Sequence, residues 1–143
     1  MEKRRYEVRK NVIPRHEKLW VWQKAHKLML QVHAIAKVLP PSEKYNLSGQ
    51  IERSSKSVPD NIAQGNSSYY YNDKIKAFYD SRKEAGETQN HLREIEKKGY
   101  QPASKIQVMI DEYEEVIRGI NGLINRVIGK RDSDSDRKGR RKI

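Results

Sequence analysis

The stretch from Tyr45 to Gly65, YNLSGQIERSSKSVPDNIAQG, decides how the chain is read. Leu47, Ile51, Ser54, Val58 and Ile62 recur every three or four residues, which lays one apolar or small stripe along a helix. Pro59 has no N–H and its ring crowds the carbonyl of Ser55, so a helix through it must bend or be propped by neighbours. Ser54, Ser55 and Ser57 place hydroxyls where they can take up loosened backbone groups. Gly65 is expected to end the element as a left-handed cap. A helix this thin in large side chains cannot stand alone. It suits the inside of a bundle, where neighbours approach closely.

The flanks supply those neighbours. A helix is expected from about Glu17 to Leu39, with Trp22, Ala25, Met29, Val32, Ala36 and Leu39 as one seam and Val21, Leu28 and Ile35 as a second stripe beside it. Two stripes imply cover on two sides, within the bundle or by another subunit. Trp20 lies off both and reads as an exposed aromatic or a partner contact. Pro40 and Pro41 stop this helix. A third helix spans about Asp73 to Lys98, with the unusually polar stripe Ile75, Phe78, Arg82, Ala85, Gln89, Leu92 and Ile95. Arg82 needs a partner if buried, and Glu84, Glu87 or another subunit could supply one. Gly99 caps this helix and Pro102 opens the next. The fourth runs from about Ala103 to Gly129 on Ile106, Met109 or Ile110, Tyr113, Ile117, Ile120, Ile124 and Val127. Gly119 and Gly122 each cost about 1 kcal/mol relative to alanine. Close packing or simple tolerance would account for them.

The expected fold is therefore all-α, an up-down-up-down four-helix bundle over residues 17–129. It is flanked by an N-terminal basic arm, 1–16, and a charged C-terminal tail, 130–143, both expected to be disordered. The composition agrees. Of 143 residues, 35% are hydrophobic and 34% charged, which fits a modest core or one completed by subunit contacts. No cysteine is present, so disulfide and thiolate chemistry are excluded. There is no apolar run of the roughly 20 residues a membrane span needs, and the basic first residues lack the apolar segment of a signal peptide. A cytosolic location is expected.

Charge is uneven. The formal net charge is +11, of which residues 1–15 and 130–143 each contribute +4. Such arms bind polyanions or keep a protein soluble. The candidate nucleic-acid contacts are Lys3, Arg4, Arg5, Arg9 and Lys10 in the first arm and Lys130, Arg131, Arg137, Lys138, Arg140, Arg141 and Lys142 in the second, with Arg53 and Lys56 on the proline-containing helix as secondary candidates. Tyr69, Tyr70 and Tyr71 invite nucleobase stacking. The ordinary role of such side chains, covering one end of the bundle, is the one expected here.

Catalysis and metal binding find little support. Glu87 and His91 are four apart rather than three, His26 and His33 lack core carboxylates, and Asp111, Glu112, Glu114 and Glu115 fall mostly on a polar face. No nucleophile elbow or phosphate loop is present. No enzyme, metal or cofactor is expected.

Gln50-Ile51, Arg53, Ser57-Val58-Pro59, Asn61-Ile62-Ala63 and Gly65 resemble the signature Q-I-R-R-A-x-x-S-I-P-x-N-I-A-E-G of the protein family encoded in intervening sequences of bacterial 23S ribosomal RNA genes. Leu19 with Val21-Trp22-Gln23-Lys24-Ala25 resembles the family's opening motif. Ser81-Arg82, Glu87-Thr88, Asn90-His91-Leu92 and Gly99-Tyr100 resemble its third helix and following turn. The likeness spans about residues 18–128. It departs at Glu52, Ser54 and Ser55, where the family has arginine and alanines, and at Gln64, where it has glutamate. The resemblance implies a homopentameric four-helix bundle. It also implies kinship with the accessory variability determinants of diversity-generating retroelements, which bind nucleic acid and a reverse transcriptase. A non-enzymatic, oligomeric, RNA-binding protein is the expected function, with a ribonucleoprotein or reverse transcriptase as a further partner. A protein–protein scaffold with solubilising tails is the alternative.

Overall fold

The computed structural model describes residues 11–141 and contains four α-helices: α1 (Trp20–Lys37), α2 (Gly49–Ser67), α3 (Tyr71–Lys97) and α4 (Ala103–Arg141). A 3-10 turn at Arg15–Lys18 leads into α1, and a π-helical turn at Lys44–Ser48 leads into α2. No strand occurs among the described residues. Side-chain pairs fix the direction of each helix. His33 meets Glu52 while Ser48 meets Ala36, so α1 and α2 are antiparallel. Ser54 pairs with Thr88 and Ser81 with Val58, so α2 and α3 are antiparallel. Arg93 reaches Gln107 and Arg82 reaches Asn121, which runs α4 against α3. The expected up-down-up-down bundle is what the chain forms.

The α2 stripe lies in the core. Leu47, Ile51, Ser54, Val58 and Ile62 are fully buried. The helix continues through Pro59 without a break. Hydroxyls reinforce the turn before the proline: Ser54 donates to the Ile51 carbonyl, Ser55 to Glu52 and Ser57 to Arg53. From α3, Ser81 Oγ donates to the Val58 carbonyl at 2.7 Å, beside the proline itself. The Ser54 and Thr88 hydroxyls join at 2.8 Å across the same buried seam. Small side chains thus serve two purposes, close approach and hydrogen bonding.

Gly65 does not end α2. The helix runs two residues further, and Gly99 is the one glycine with positive φ, at 78° among the described residues. The physical role of Gly65 is different. A Cβ there would lie 2.6 Å from Cε1 of the buried Phe78 ring on α3. The absence of a side chain lets an aromatic ring lie against the helix backbone.

The two stripes of α1 merge into one buried face. Val21, Ala25, Leu28, Val32, Ile35, Ala36 and Leu39 are all in the core, while Trp22 and Met29 are half-buried. The second stripe therefore faces inward rather than making a second surface. The remaining apolar exposure of α1 is at Trp20, Leu30 and nearby Val38. On α3 the rim residues of the polar stripe tie the helix to α4. Arg82 Nη1 donates to Asn121 Oδ1 at 2.6 Å and lies over the Tyr79 ring, so its partner is an amide rather than Glu84 or Glu87. Gln89 donates to the Ile110 carbonyl and to Glu114. The seam between α1 and α4 is looser than those on either side of α3. At its tight point Gly119 faces Val21 and Trp20, where a Cβ would come within 2.5 Å of Val21, whereas Gly122 faces open space.

At the far end Glu43 staples the connections. Its carboxylate accepts from Lys98 Nζ at 2.9 Å and from Asn46 at 3.2 Å. The Lys98 bond, with smaller help from Asn46 and Tyr100 and against the cost of burial, holds this carboxyl below the ordinary range. A depressed folded-state pKa contributes stability above the unfolded value of about 4.3, and this is lost as pH falls through the folded value. Thermal melts at about pH 6 and about pH 3 should show a larger loss for the natural chain than for Glu43→Gln. Equal losses would mean the staple does not couple to folding. The glycine contacts lead to an opposed pair of outcomes in urea denaturation. Gly65→Ala should destabilise by about 1–3 kcal/mol through overpacking against Phe78, and Gly122→Ala should stabilise by up to about 1 kcal/mol through helix propensity.

Candidate nucleic-acid interface

The sequence reading ends the fourth helix near Gly129 and leaves 130–143 as a disordered tail. The structure instead carries α4 as one helix to Arg141. Gly129 takes helical dihedrals and caps nothing. Contacts with the start of α3 hold the extension. The Tyr71 hydroxyl donates to the Asp134 carboxylate, and Arg131 Nη1 donates to Asn72 Oδ1 at 3.1 Å. Arg137 closes an i,i+3 pair with Asp134 at 2.7 Å. Accordingly the Tyr71 hydroxyl is held above the ordinary phenol range by its bond to Asp134, with burial adding to it. The Asp134 carboxyl is held below its own range by the same bond, with burial opposing and Arg137 assisting.

Helical geometry sorts the charges. At 3.6 residues per turn, Arg126, Lys130 and Arg137 share one face, and Arg131 and Lys138 share the next. Asp132 and Asp136 lie about 140° and 100° round the helix from the first face, whereas Asp134 lies about 60° from it and pairs with Arg137. Arg126 and Lys130, with Tyr71, Lys74 and Asn66, line a cleft of about 260 Å³ between α3 and α4. Lys74 is already engaged, donating to the Gly65 and Asn66 carbonyls at 3.3 and 3.1 Å at the end of α2. Burial first and the charge of Lys130 second push the Lys74 ammonium below its usual range. Arg126, Lys130 and Lys138 make no ion pair among the described residues. Beside them Tyr69 and Tyr70 are 86% and 68% exposed, their rings edge-to-face at 5.1 Å. They do not cover the end of the bundle, which departs from the role expected for them. Tyr71 alone of the three is partly covered.

The structure separates the candidates into groups. Lys130, Arg131, Arg137 and Lys138 lie together on the α4 extension, and Arg140 and Arg141 lie in its last turn. Lys3, Arg4, Arg5, Arg9, Lys10 and Lys142 lie outside the described residues. Arg53 and Lys56 stand apart from this surface and are engaged elsewhere. Arg53 bridges Glu84 and Glu87 at 3.2 and 3.0 Å, and Lys56 pairs with Asp60 at 2.6 Å. Glu84 lies 13 residues after Tyr71 on α3, about 20 Å at 1.5 Å per residue. Hydrogen bonds donated to Glu87 and then to Glu84 hold the Arg53 guanidinium above its ordinary range. Arg126 and Lys74 were missed by the sequence reading. Their signal was Arg126 four residues before Lys130, visible only once the helix is carried through Gly129.

Three of the groups weighed for metal are engaged within the bundle, whereas His91 Nδ1 is buried without a hydrogen-bond partner among the described residues. His26 stacks on Trp22 at 4.7 Å, His33 Nε2 meets the Glu52 carbonyl, and Glu87 serves Arg53. Among the described residues no group of three or more His, Asp or Glu side chains could hold a metal ion, and no helix is long and apolar enough to cross a membrane.

The comparisons with known proteins follow the fold. A family model described as 23S rRNA-intervening sequence protein matches residues 17–122. Among curated proteins none matches. The crystal structure of a protein of unknown function from the S23 ribosomal protein family of Bacteroides thetaiotaomicron VPI-5482 superposes with a TM-score of 0.68 at 23% identity, covering 73% of this chain and 95% of that one. That likeness is one of fold.

If the Tyr71–Asp134 bond anchors the extension, Tyr71→Phe should leave the bundle intact and loosen α4 beyond Gly129. Amide hydrogen exchange should then speed several-fold from Asp132 to Arg137 with residues 106–124 unchanged. Unchanged exchange in both stretches would mean the extension is held by other contacts.

Proposed function

The chain belongs to the 23S rRNA-intervening sequence protein family, and on that premise we propose that it is a non-enzymatic nucleic-acid-binding bundle whose partner is RNA. The observation that carries this reading is the charge of the α4 extension, where Arg126 and Lys130, without ion pairs among the described residues, share one face with Arg137, itself paired to Asp134, near two exposed tyrosines. Phosphate contacts by Lys and Arg release condensed counterions and need no base information. An accessory role in an rRNA intervening sequence or a retroelement, with a ribonucleoprotein or reverse transcriptase as further partner, belongs to the same reading. So does self-association into a pentamer, as the resemblance implies. The open α1–α4 seam supports a protein contact, because Trp20, Val38 and Val108 are more than half exposed along it. That groove also favours a second reading, a scaffold whose basic extension serves solubility.

A salt titration separates the two. Full-length protein should bind RNA with an affinity that falls steeply with salt. Replacing Arg126, Lys130, Arg137 and Lys138 by glutamine should weaken binding. On single strands it should also flatten the log–log slope by about 0.7 for each phosphate no longer neutralised. Arg53→Gln should leave the slope unchanged. If the fourfold variant keeps the natural affinity and slope, RNA is held elsewhere and the extension is not the interface; if the natural protein binds no RNA at low salt, the scaffold reading stands.

A further inference from the structure

Tyr69 and Tyr70 are the most informative groups that a purely electrostatic account leaves unused. They connect α2 to α3 and are 86% and 68% exposed. Neither hydroxyl makes a hydrogen bond among the described residues. The rings meet edge-to-face at 87°, so they are held against each other while wide ring surfaces remain open to solvent. Their position is not free. The next residue, Tyr71, is bonded to Asp134 and lines a cleft with Arg126, Lys130 and Arg137, and Asn72 is bonded to Arg131, so the pair directly precedes the residues that meet α4.

We propose that Tyr69 and Tyr70 form a base-stacking platform that makes this interface selective for unpaired nucleotides over duplex. The inference rests on the nucleic-acid reading of α4 and adds to it the kind of strand recognised. A single strand can lay its phosphates along Arg126, Lys130 and Arg137 while its bases turn onto the neighbouring rings. Every base has a π-face, so such stacking tolerates sequence. In a duplex those faces are occupied by neighbouring base pairs. A duplex could therefore use only the cations, whereas an unpaired strand uses cations and rings together. This division matches the chemistry of the site, in which charge and exposed aromatic surface occur together.

The experiment compares full-length protein with Tyr69→Ala/Tyr70→Ala and Tyr69→Phe/Tyr70→Phe on two labelled RNAs, an unstructured strand of about 12 nucleotides and a hairpin duplex of similar charge. Both side chains are exposed, so helix content and melting temperature serve as controls for folding. The alanine pair should lose about tenfold in affinity for the single strand per tyrosine, with duplex affinity within about twofold. The phenylalanine pair should bind the single strand like the natural protein, since stacking needs the ring and not the hydroxyl. An unchanged single-strand affinity in the alanine pair, or an equal loss on both RNAs, overturns the platform while salt-dependent binding by the natural protein leaves the charged interface standing. A loss in the phenylalanine pair as large as in the alanine pair also overturns it, assigning the contact to the hydroxyls. Failure of the natural protein to bind either RNA removes the premise and the platform with it.

Discussion

The close approach of α2 and α3 is the constraint on which the rest of the bundle depends. Gly65 admits the Phe78 ring, Ser54 meets Thr88, and Ser81 reaches the Val58 carbonyl next to Pro59. Larger residues at these positions would push the helices apart and leave the Ser81 hydroxyl buried without its partner, at about 1–3 kcal/mol, while Thr88 would keep only its bond to the Glu84 carbonyl. The proline is tolerated for the same reason. The proline costs the helix the bond to the Ser55 carbonyl, and the surrounding hydroxyl bonds of Ser54, Ser55, Ser57 and Ser81 brace the backbone on either side of it. Close packing at the α2 end of the seam also places the start of α3 where it can anchor α4.

That anchoring turns a charged segment into an oriented surface. A chain segment with seven basic and three acidic residues between 130 and 143 has no packing reason to be helical on its own. Tyr71, Asn72 and the Arg137–Asp134 pair supply one. Once helical, the segment turns Asp132 and Asp136 away from Arg126 and Lys130, while Asp134 stays beside Arg137 and accepts from Tyr71. The same composition in a random arm would mix the signs and act mainly through net charge.

The sequence made the fold legible where periodicity was strong. Leu47, Ile51, Val58 and Ile62 mark one face regardless of what covers it, and the passage of the helix through Pro59 follows from the stripe continuing on both sides. It was less informative where the cause lay across the bundle. Nothing local to Gly65 announces Phe78, so the glycine looked like a cap. Nothing local to Gly129 announces Tyr71 and Asn72, so charge and glycine together looked like an end. Arg53 appeared available because its partners Glu84 and Glu87 lie 31 and 34 residues away. The tyrosine run looked like cover for the bundle, since sequence alone does not report the exposure of Tyr69 and Tyr70.

The central claim is that RNA meets the chain where the α2–α3 connection borders the α4 extension. Ultraviolet cross-linking of a single-stranded RNA to the full chain, followed by mass spectrometry of the linked peptides, locates the contact directly. Cross-links on the peptide carrying Tyr69 and Tyr70 and on peptides from Arg126 onward are the predicted result. Cross-links confined to the peptides carrying Trp20 or Arg53, with none at the tyrosine pair or the α4 extension, would contradict it.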